Sequence, residues 1–199
     1  MLEREYLQKG YEYVIGVDEV GRGSWAGPVV VGAFVFTKDT QILPQVNDSK
    51  LVTKKRRVQL NEQLQSDHYK IANASVEEID KSNILEATKL AIKRSISKLS
   101  LENSIVLIDG RFSEDFEFEY ESICRGDSKH YSIAAASILA KVFRDSLMSN
   151  YSKKYPEYGF EKHVGYGTKR HREALEEYGV CSIHRRSYKP VRRVLVNEK

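Results

Sequence analysis

Residues 14–36 read VIGVDEVGRGSWAGPVVVGAFVF, and this stretch decides the fold. Two apolar runs, residues 13–20 and 28–36, flank a glycine-rich turn and are typical of β-strands. Strands this close in sequence favour an antiparallel hairpin. Asp18 and Glu19 stand side by side near the end of the first run, although a buried carboxylate is unfavourable unless it is paired or binds a metal. The stretch therefore predicts both the start of a sheet and acidic side chains at its edge.

The composition is that of a globular protein with a mildly basic balance. The 199 residues are 41% hydrophobic and 30% charged, with a net charge of +4 and a pI near 8.9. Such a chain can bury a core, and its positive charge suits an anionic partner. It contains no apolar run long enough to span a membrane and no signal-peptide pattern at its start, so we expect a cytoplasmic protein. The only cysteines, Cys124 and Cys181, lack a metal-like spacing and are expected to be reduced thiols.

The rest of the chain alternates between predicted strands and helices. Three further strands are predicted at residues 68–75, 105–110 and 120–124. Ser75 and Glu78 form a capping-box pattern that predicts a helix, and from Ser132 an alanine-rich helix follows that could lie close against a sheet. This order predicts an α/β domain, with a mixed sheet flanked by helices, over residues 1–154. A small, basic, helical C-terminal region is predicted over residues 155–199.

Four acids lie where predicted strands end or helices begin: Asp18, Glu19, Asp109 and Asp127. Ligand sites gather at such strand ends, and several carboxylates in one crevice suit hard cations such as Mg²⁺ or Mn²⁺ rather than zinc. Structural alternatives exist, because Asp109 with Gly110 suits a turn and Asp127 suits a helix N-cap. Neighbouring side chains on a strand point to opposite faces. Asp18 and Glu19 can therefore share one site only if the strand breaks at Glu19.

The tripeptide Gly21-Arg22-Gly23 follows the first two acids with only Val20 between them. Glycine lets a backbone approach a ligand closely and adopt positive φ, so main-chain groups here could grip a sugar or a phosphate. An ordinary tight turn between two strands is the alternative.

Two basic segments are candidates for contact with nucleic acid, and each could instead be a solvated face. One is the run of residues 54–57, and the other is the C-terminal set Arg185, Arg186, Lys189, Arg192 and Arg193. The five histidines are scattered along the chain, and we expect them to be surface or packing residues.

Six segments, in one order, resemble bacterial ribonuclease HII. They are GVDEVGRGSWAGPVVVGA (16–33), NDSK (47–50), LIDG (107–110), RGDSKHYSIAAASILAKVFRD (125–145), YGFEKHVGYGTKRH (158–171) and HRRSYKPV (184–191). The resemblance extends from residue 13 to residue 191. It implies a ribonuclease H-like fold with a small helical C-terminal region. It also implies an endonuclease that hydrolyses the RNA strand of RNA–DNA hybrids and cuts at ribonucleotides embedded in DNA, as in ribonucleotide excision repair.

Residue by residue, the resemblance implies that the four acids bind metal and catalyse. It assigns Gly21-Arg22-Gly23 to the ribose 2′-OH, Tyr166 to the deoxyribose just past the RNA–DNA junction, and Lys50 to a phosphate. Tyr166 could instead be a loop residue whose ring covers the core. Two residues depart from the family pattern: Leu51 stands where a second lysine is usual, and Ser24 stands where proline is common.

The expected reaction uses two divalent ions, Mg²⁺ or Mn²⁺, to activate water and stabilise the leaving oxygen, giving 5′-phosphate and 3′-hydroxyl ends. The expected partners are RNA–DNA hybrids and DNA duplexes that contain ribonucleotides, with no membrane, and the chain is expected to be a monomer. Two alternatives are a related nuclease with a DNA-only substrate and a non-catalytic nucleic-acid-binding protein. The GRG tripeptide argues against the first, and four intact acids argue against the second.

Overall fold

The computed structural model describes residues 2–46, 52–65, 68–99 and 102–197, so Lys50 and Leu51 lie outside the described residues. The strands are β1 (Tyr13–Val20), β2 (Val29–Phe36), β3 (Tyr69–Ala74), β4 (Ser104–Asp109) and β5 (Tyr120–Ile123). The α-helices are α1 (Glu3–Gln8), α2 (Lys54–Leu64), α3 (Val76–Lys81), α4 (Ile84–Ser97), α5 (Tyr131–Lys154), α6 (Phe160–His163), α7 (Lys169–Tyr178) and α8 (Lys189–Asn197). Short 3₁₀ helices span Gly126–Ser128 and Pro156–Tyr158. Within the described ranges, none of the helices has the length and apolar character that a membrane crossing needs.

The five strands form one mixed sheet in the order β3-β2-β1-β4-β5, which confirms the predicted fold class. Strand β1 pairs in parallel with β4, and Val17 lies opposite Ile108. Strand β4 pairs in parallel with β5, and Asp109 lies opposite Ile123. Because parallel strands run in the same direction, β1, β4 and β5 all end at one edge of the sheet.

Helix α5 lies very close to the sheet, as its alanines predicted. A Cβ atom on Gly16 of β1 would lie 2.1 Å from the carbonyl carbon of Ser132. A Cβ atom on Gly32 of β2 would lie 2.4 Å from the carbonyl oxygen of Ala136. The glycines of the two strands therefore accept the helix backbone where a side chain would exclude it.

Helices α3, α4 and α8 can be compared with the sequence-based predictions. The predicted capping box is confirmed, because Ser75 and Glu78 each accept the other's main-chain N–H at the start of α3. That helix ends at Lys81, and Ser82 is its C-cap. The side chain of Asn83 then accepts the N–H groups of Leu85 and Glu86, which starts α4 as a separate helix. Helix α8 covers part of the basic tail and lies within the C-terminal region that was predicted to be helical.

The chain divides into two compact units. The first unit comprises Met1–Val20, Val31–Ala72 and Ile92–Val142, and the second comprises Gly21–Val30, Asn73–Ala91 and Phe143–Lys199. The first has a core that includes Val14, Phe34, Leu107 and Ile138. The second has its own core, with Ala26, Met148, Tyr158, Phe160, Ala174 and Ile183. The proposed C-terminal region falls within the second unit, and its boundary at residue 154 stays a prediction.

Candidate active site

The strand register of the first unit brings three acids together. Asp18 lies near the end of β1, Asp109 is the last residue of β4, and Asp127 lies in the 3₁₀ helix that follows β5. Each offers a carboxylate oxygen, and these oxygens lie within 4.8 Å of one another. The sequence spaces the three residues over more than one hundred positions, so it is the parallel pairing of the strands that assembles the cluster.

Main-chain groups hold these carboxylates in place. The Oδ1 atom of Asp109 accepts a hydrogen bond of 2.7 Å from the N–H of Gly126, which ties the end of β4 to the turn carrying Asp127. Gly126 suits this position because a Cβ atom there would lie 2.5 Å from Cδ1 of Ile133. Asp18 accepts a hydrogen bond of 2.8 Å from the N–H of Glu19 and a further one from the side chain of Ser137 on α5.

Burial and mutual repulsion make the cluster unfavourable as free anions. Asp18 is only 8% exposed and Asp127 only 7%. Burial, together with the charges of Glu19 and Asp109, raises the pKa of Asp18 to about 8, against the hydrogen bonds from Ser137 and Glu19. A divalent cation among these oxygens would offset both effects. The donor set is entirely oxygen, so it fits a hard cation such as Mg²⁺ or Mn²⁺.

Glu19 has a different position from its neighbour. Strand β1 continues through Val20, so the strand break that would let Glu19 share one site with Asp18 is absent from β1. Adjacent side chains then alternate between faces, and the group of three acids found among the described residues does not include Glu19. Its charge still raises the pKa of Asp18, which places it in the neighbourhood of the cluster.

The start of α5 explains why Asp127 is available for the cluster. The helix begins at Tyr131, so Asp127 lies too far upstream to be its N-cap. The buried carboxylate of Glu3 fills that role, since it accepts the N–H and the hydroxyl of Ser132 at 2.8 and 3.1 Å. Sequence reasoning missed Glu3, because a charged residue in a polar N-terminal segment gives no sign of burial.

In the second unit, the main chain of Gly21-Arg22-Gly23 is held by Arg185. Its Nη2 atom donates to the carbonyl of Gly21 at 2.7 Å, and its Nη1 atom donates to the carbonyl of Arg22 at 2.8 Å. A third bond, from Nε, reaches the carbonyl of Gly27 at 2.9 Å. Arg185 is fully buried. Its guanidinium faces main-chain carbonyls rather than solvent, which corrects the expectation of a phosphate contact at this residue.

A second buried arginine, Arg144, holds the neighbouring main chain. It donates to the carbonyls of Ala26, Pro28 and Val164 at 3.1, 3.1 and 2.9 Å. Burial lowers its pKa to about 10, so it remains charged at neutral pH. The guanidinium carbon lies 6.0 Å from the centre of the Tyr166 ring. Sequence reasoning missed this residue as well, since nothing in a helical sequence distinguishes a buried arginine from a solvated one.

The ring of Tyr166 is accessible. The residue is 38% exposed, so part of the ring is available to a substrate. Trp25 is a packing residue: a Cβ atom on Gly167 would lie 2.1 Å from its Cζ2 atom, and its ring lies 5.5 Å from that of His171. Arg186 is exposed, and its main-chain N–H donates to Asp80 at 2.8 Å.

The fold and the carboxylate cluster together define a nuclease of the ribonuclease H-like class. The ribonuclease H2 structure from Pyrococcus horikoshii OT3 superposes with a TM-score of 0.80 and 30% identity, over 93% of this chain and 98% of that one. Residues 15–191 match the family described as Ribonuclease HII, and the chain belongs to this family.

Curated relatives agree with the family assignment. Ribonuclease HII of Clostridioides difficile (strain 630) is 48% identical over 190 residues, which cover 94% of this chain and 74% of the relative. Ribonuclease HII of Endomicrobium trichonymphae is 46% identical over 200 residues, which cover 99% and 95%. The chain is therefore an endoribonuclease with ribonuclease H activity, and its substrate is nucleic acid.

Proposed function

We propose that this enzyme hydrolyses the RNA strand of RNA–DNA hybrids and cuts duplex DNA at embedded ribonucleotides, leaving 5′-phosphate and 3′-hydroxyl ends. The observation that carries the chemistry is the cluster of Asp18, Asp109 and Asp127, whose oxygens lie within 4.8 Å of one another. Cutting at an embedded ribonucleotide would open the path to ribonucleotide excision repair. The enzyme is proposed to act as a monomer in the cytoplasm.

The three clustered acids, with Glu19, would hold the divalent ions. When bound, Mg²⁺ or Mn²⁺ would supply an activated water and charge stabilisation at the phosphate and the leaving oxygen, in a two-metal arrangement. The protein's own contribution is orientation. The hydrogen bonds from Ser137 and from the N–H of Glu19 fix the Asp18 carboxylate, and the N–H of Gly126 fixes that of Asp109.

Recognition of the sugar is proposed for the second unit. The main chain of Gly21-Arg22-Gly23 would read the ribose 2′-OH, the group that distinguishes RNA from DNA. The exposed ring of Tyr166 would pack on the deoxyribose beyond the junction. A Cβ atom on Gly23 would lie 3.7 Å from Cε1 of this ring. The two groups proposed to contact the sugars are therefore neighbours in the second unit.

Phosphate contacts are proposed for exposed basic side chains. Arg186 is exposed, and so are Lys189, Arg192 and Arg193 on α8. Lys50 stays a proposed contact from the sequence. Such contacts position the duplex without reading sequence, and they make binding salt-dependent.

The test compares three duplexes of one sequence: all DNA, DNA with one ribonucleotide, and a continuous RNA–DNA hybrid. With Mg²⁺ or Mn²⁺, the second and third should be cut, and EDTA should stop the reaction. Asp18→Asn and Asp109→Asn should abolish cleavage but keep or tighten binding, because each removes a negative charge near phosphate. Asp39→Asn, at an exposed position, is the matched control.

Each alternative has its own outcome in this assay. Cleavage of the all-DNA duplex at a comparable rate would favour a DNA nuclease. Tight binding without cleavage of any duplex would favour a non-catalytic protein. Near-normal cleavage by either Asp→Asn variant would remove that residue from the site.

A further inference from the structure

A chain of buried hydrogen bonds links Cys181 to Tyr166 through two histidines of the second unit. The N–H of Cys181 donates to Nδ1 of His184 at 3.0 Å. The Nε2 atoms of His184 and His171 are 3.0 Å apart. The Nδ1 atom of His171 lies 3.0 Å from the carbonyl oxygen of Tyr166. His171 is fully buried and His184 is 1% exposed, so water does not compete for these groups.

The partners at the two ends determine where each proton lies. A carbonyl only accepts, so Nδ1 of His171 carries a hydrogen and donates it to Tyr166. A main-chain N–H only donates, so Nδ1 of His184 is the acceptor, and the hydrogen of the neutral ring is on Nε2. That hydrogen points at the bare Nε2 of His171. The direction of donation is therefore fixed from Cys181 through His184 and His171 to Tyr166.

The chain requires both rings to be neutral, since two protonated Nε2 atoms would repel each other at 3.0 Å. Burial lowers the pKa of His171 to about 4 and that of His184 to about 3, so both rings are neutral at neutral pH. His163 stacks on His171 with ring centres 4.6 Å apart, and its Nε2 lies 2.9 Å from the carbonyl of Tyr158. The three histidines thus form one packed block, the histidine block.

This block fixes the main chain that carries the tyrosine. The N–H of Tyr166 donates to the carbonyl of His163 at 2.9 Å, and its carbonyl also accepts from Thr168 at 2.8 Å. Gly165 has φ +85°, and a Cβ atom there would lie 2.4 Å from the carbonyl oxygen of Ala26. The backbone on both sides of Tyr166 is held, while the ring itself projects to the exterior.

We propose that His184 and His171 are positioning residues that set the ring of Tyr166 for the sugar it reads. The inference rests on the proposed function of Tyr166. A contact between a flat ring and a sugar is sensitive to shifts of about 1 Å, so loosening the carbonyl of Tyr166 would weaken discrimination more than it weakens general activity. The two histidines would thereby affect selectivity without contacting the substrate.

The test uses two matched substitutions at His171. Asparagine places its amide near the position of Nδ1 and keeps the donor to Tyr166, whereas glutamine places its amide near Nε2 and keeps only the contact with His184. Each variant loses one of two bonds, so both should lose similar stability. Selectivity is the ratio of kcat/KM on the duplex with one ribonucleotide to kcat/KM on the continuous hybrid. His171→Gln should lower it about tenfold, as expected for one lost hydrogen bond, and His171→Asn should retain most of it.

A double-mutant cycle separates positioning from a merely structural role. In a Tyr166→Ala background, the two variants at His171 should have equal selectivity, because the ring they position is gone. If the two His171 variants have equal selectivity when Tyr166 is unchanged, the proposal is wrong. A difference that persists after Tyr166→Ala would also overturn it.

A measurement without substrate tests the hydrogen-bonded chain from Cys181 to Tyr166 directly. It remains possible if the variants fold poorly or if the enzyme does not have the proposed activity. Long-range ¹H–¹⁵N spectra of the imidazoles at pH 7 should show His171 protonated on Nδ1 and His184 on Nε2. An Nε2–H tautomer at His171 would contradict the proposed direction of donation to Tyr166, whichever substrate the enzyme cuts. Failure of the wild type to cut a duplex with one ribonucleotide, with the expected tautomers present, would instead reject the proposed function.

Discussion

Gly23 and Tyr166 are close neighbours, yet a Cβ atom on Gly23 would lie 3.7 Å from Cε1 of the tyrosine, an ordinary contact distance. Gly21 differs: it has φ +93°, and a Cβ atom there would lie 2.2 Å from Nε of Arg144. The two glycines of one motif therefore serve different ends. The fold requires Gly21, whereas a methyl group at Gly23 is compatible with the fold and would stand where a substrate backbone would approach.

The first prediction separates these roles. Gly23→Ala should melt within about 2 °C of the wild type, because its methyl group makes no clash, but should cut at a single ribonucleotide at least tenfold more slowly. Gly21→Ala should lose about 1–3 kcal/mol of unfolding free energy through overpacking against Arg144 and the unfavourable φ. Thermal melts and kcat/KM on one duplex check both. A fully active Gly23→Ala variant would mean that the motif is only a turn.

The second prediction concerns two adjacent arginines with opposite environments. Arg185→Lys cannot serve the carbonyls of Gly21, Arg22 and Gly27 together, so it should destabilise the protein by several kcal/mol, since buried carbonyls lose their donors. Arg186→Ala should leave the melting temperature unchanged. It should instead flatten the dependence of log K on log salt by about one unit, as one phosphate contact is lost. The same salt slope in Arg186→Ala and wild type would assign Arg186 to plain surface.

Several features of the fold and the site could be predicted from the sequence. The valine-rich strands, the Ser75 capping box and the alanine-rich helix were predictable because their patterns are local. The acids at strand ends were predictable as candidates, since parallel strands end together. Strand alternation left open whether Asp18 and Glu19 share one site, and the structure shows that β1 continues to Val20 without the break that sharing required.

What the sequence did not reveal depends on distant partners. In the sequence, Arg185 looks like any other basic residue of the tail. Its burial depends on hydrogen bonds to carbonyls more than 160 residues away in the chain. Glu3 and the histidine block are similar cases, because their partners are fixed only by tertiary packing. Patterns of residue type indicate exposure for charged side chains, so burial of such groups goes unseen.

The third prediction follows from the raised pKa of Asp18. The carboxyl ordinarily titrates at 3.8 and does so at about 8 in the folded chain. Between these values the folded state keeps a proton that the unfolded state has lost, so the stability of the metal-free protein should fall as pH rises from about 4 to 8 and then level off. Asp18→Asn should remove this contribution to the slope. Urea unfolding in EDTA at pH 5, 7 and 8.5 checks it, and identical slopes in both proteins would contradict it.

The same carboxyl predicts how metal binding depends on pH. A cation requires the ionised form, so Mn²⁺ or Mg²⁺ affinity should rise toward pH 8, and binding at pH 7 should release a proton. Calorimetric titration in two buffers of different ionisation enthalpy measures that proton directly. A metal affinity that is flat between pH 6 and 8 would show that Asp18 is not titrating in this range.

The fourth prediction concerns Ser24, which stands where the resembled family commonly has proline. Its side chain is fully buried, and its hydroxyl has no hydrogen-bond partner among the described residues. A buried, unpaired hydroxyl destabilises a fold, so Ser24→Ala should raise the free energy of unfolding by about 1 kcal/mol. Ser24→Pro should gain less, because the N–H of Ser24 lies 3.3 Å from the carbonyl of Gly21 and that bond would be lost. Neither change removes a group proposed to contact substrate, so Ser24→Ala should keep its kcat/KM on the ribonucleotide duplex. Denaturant unfolding of the three proteins at one pH decides the order, and an Ser24→Ala variant less stable than the wild type would show that the hydroxyl has a stabilising partner.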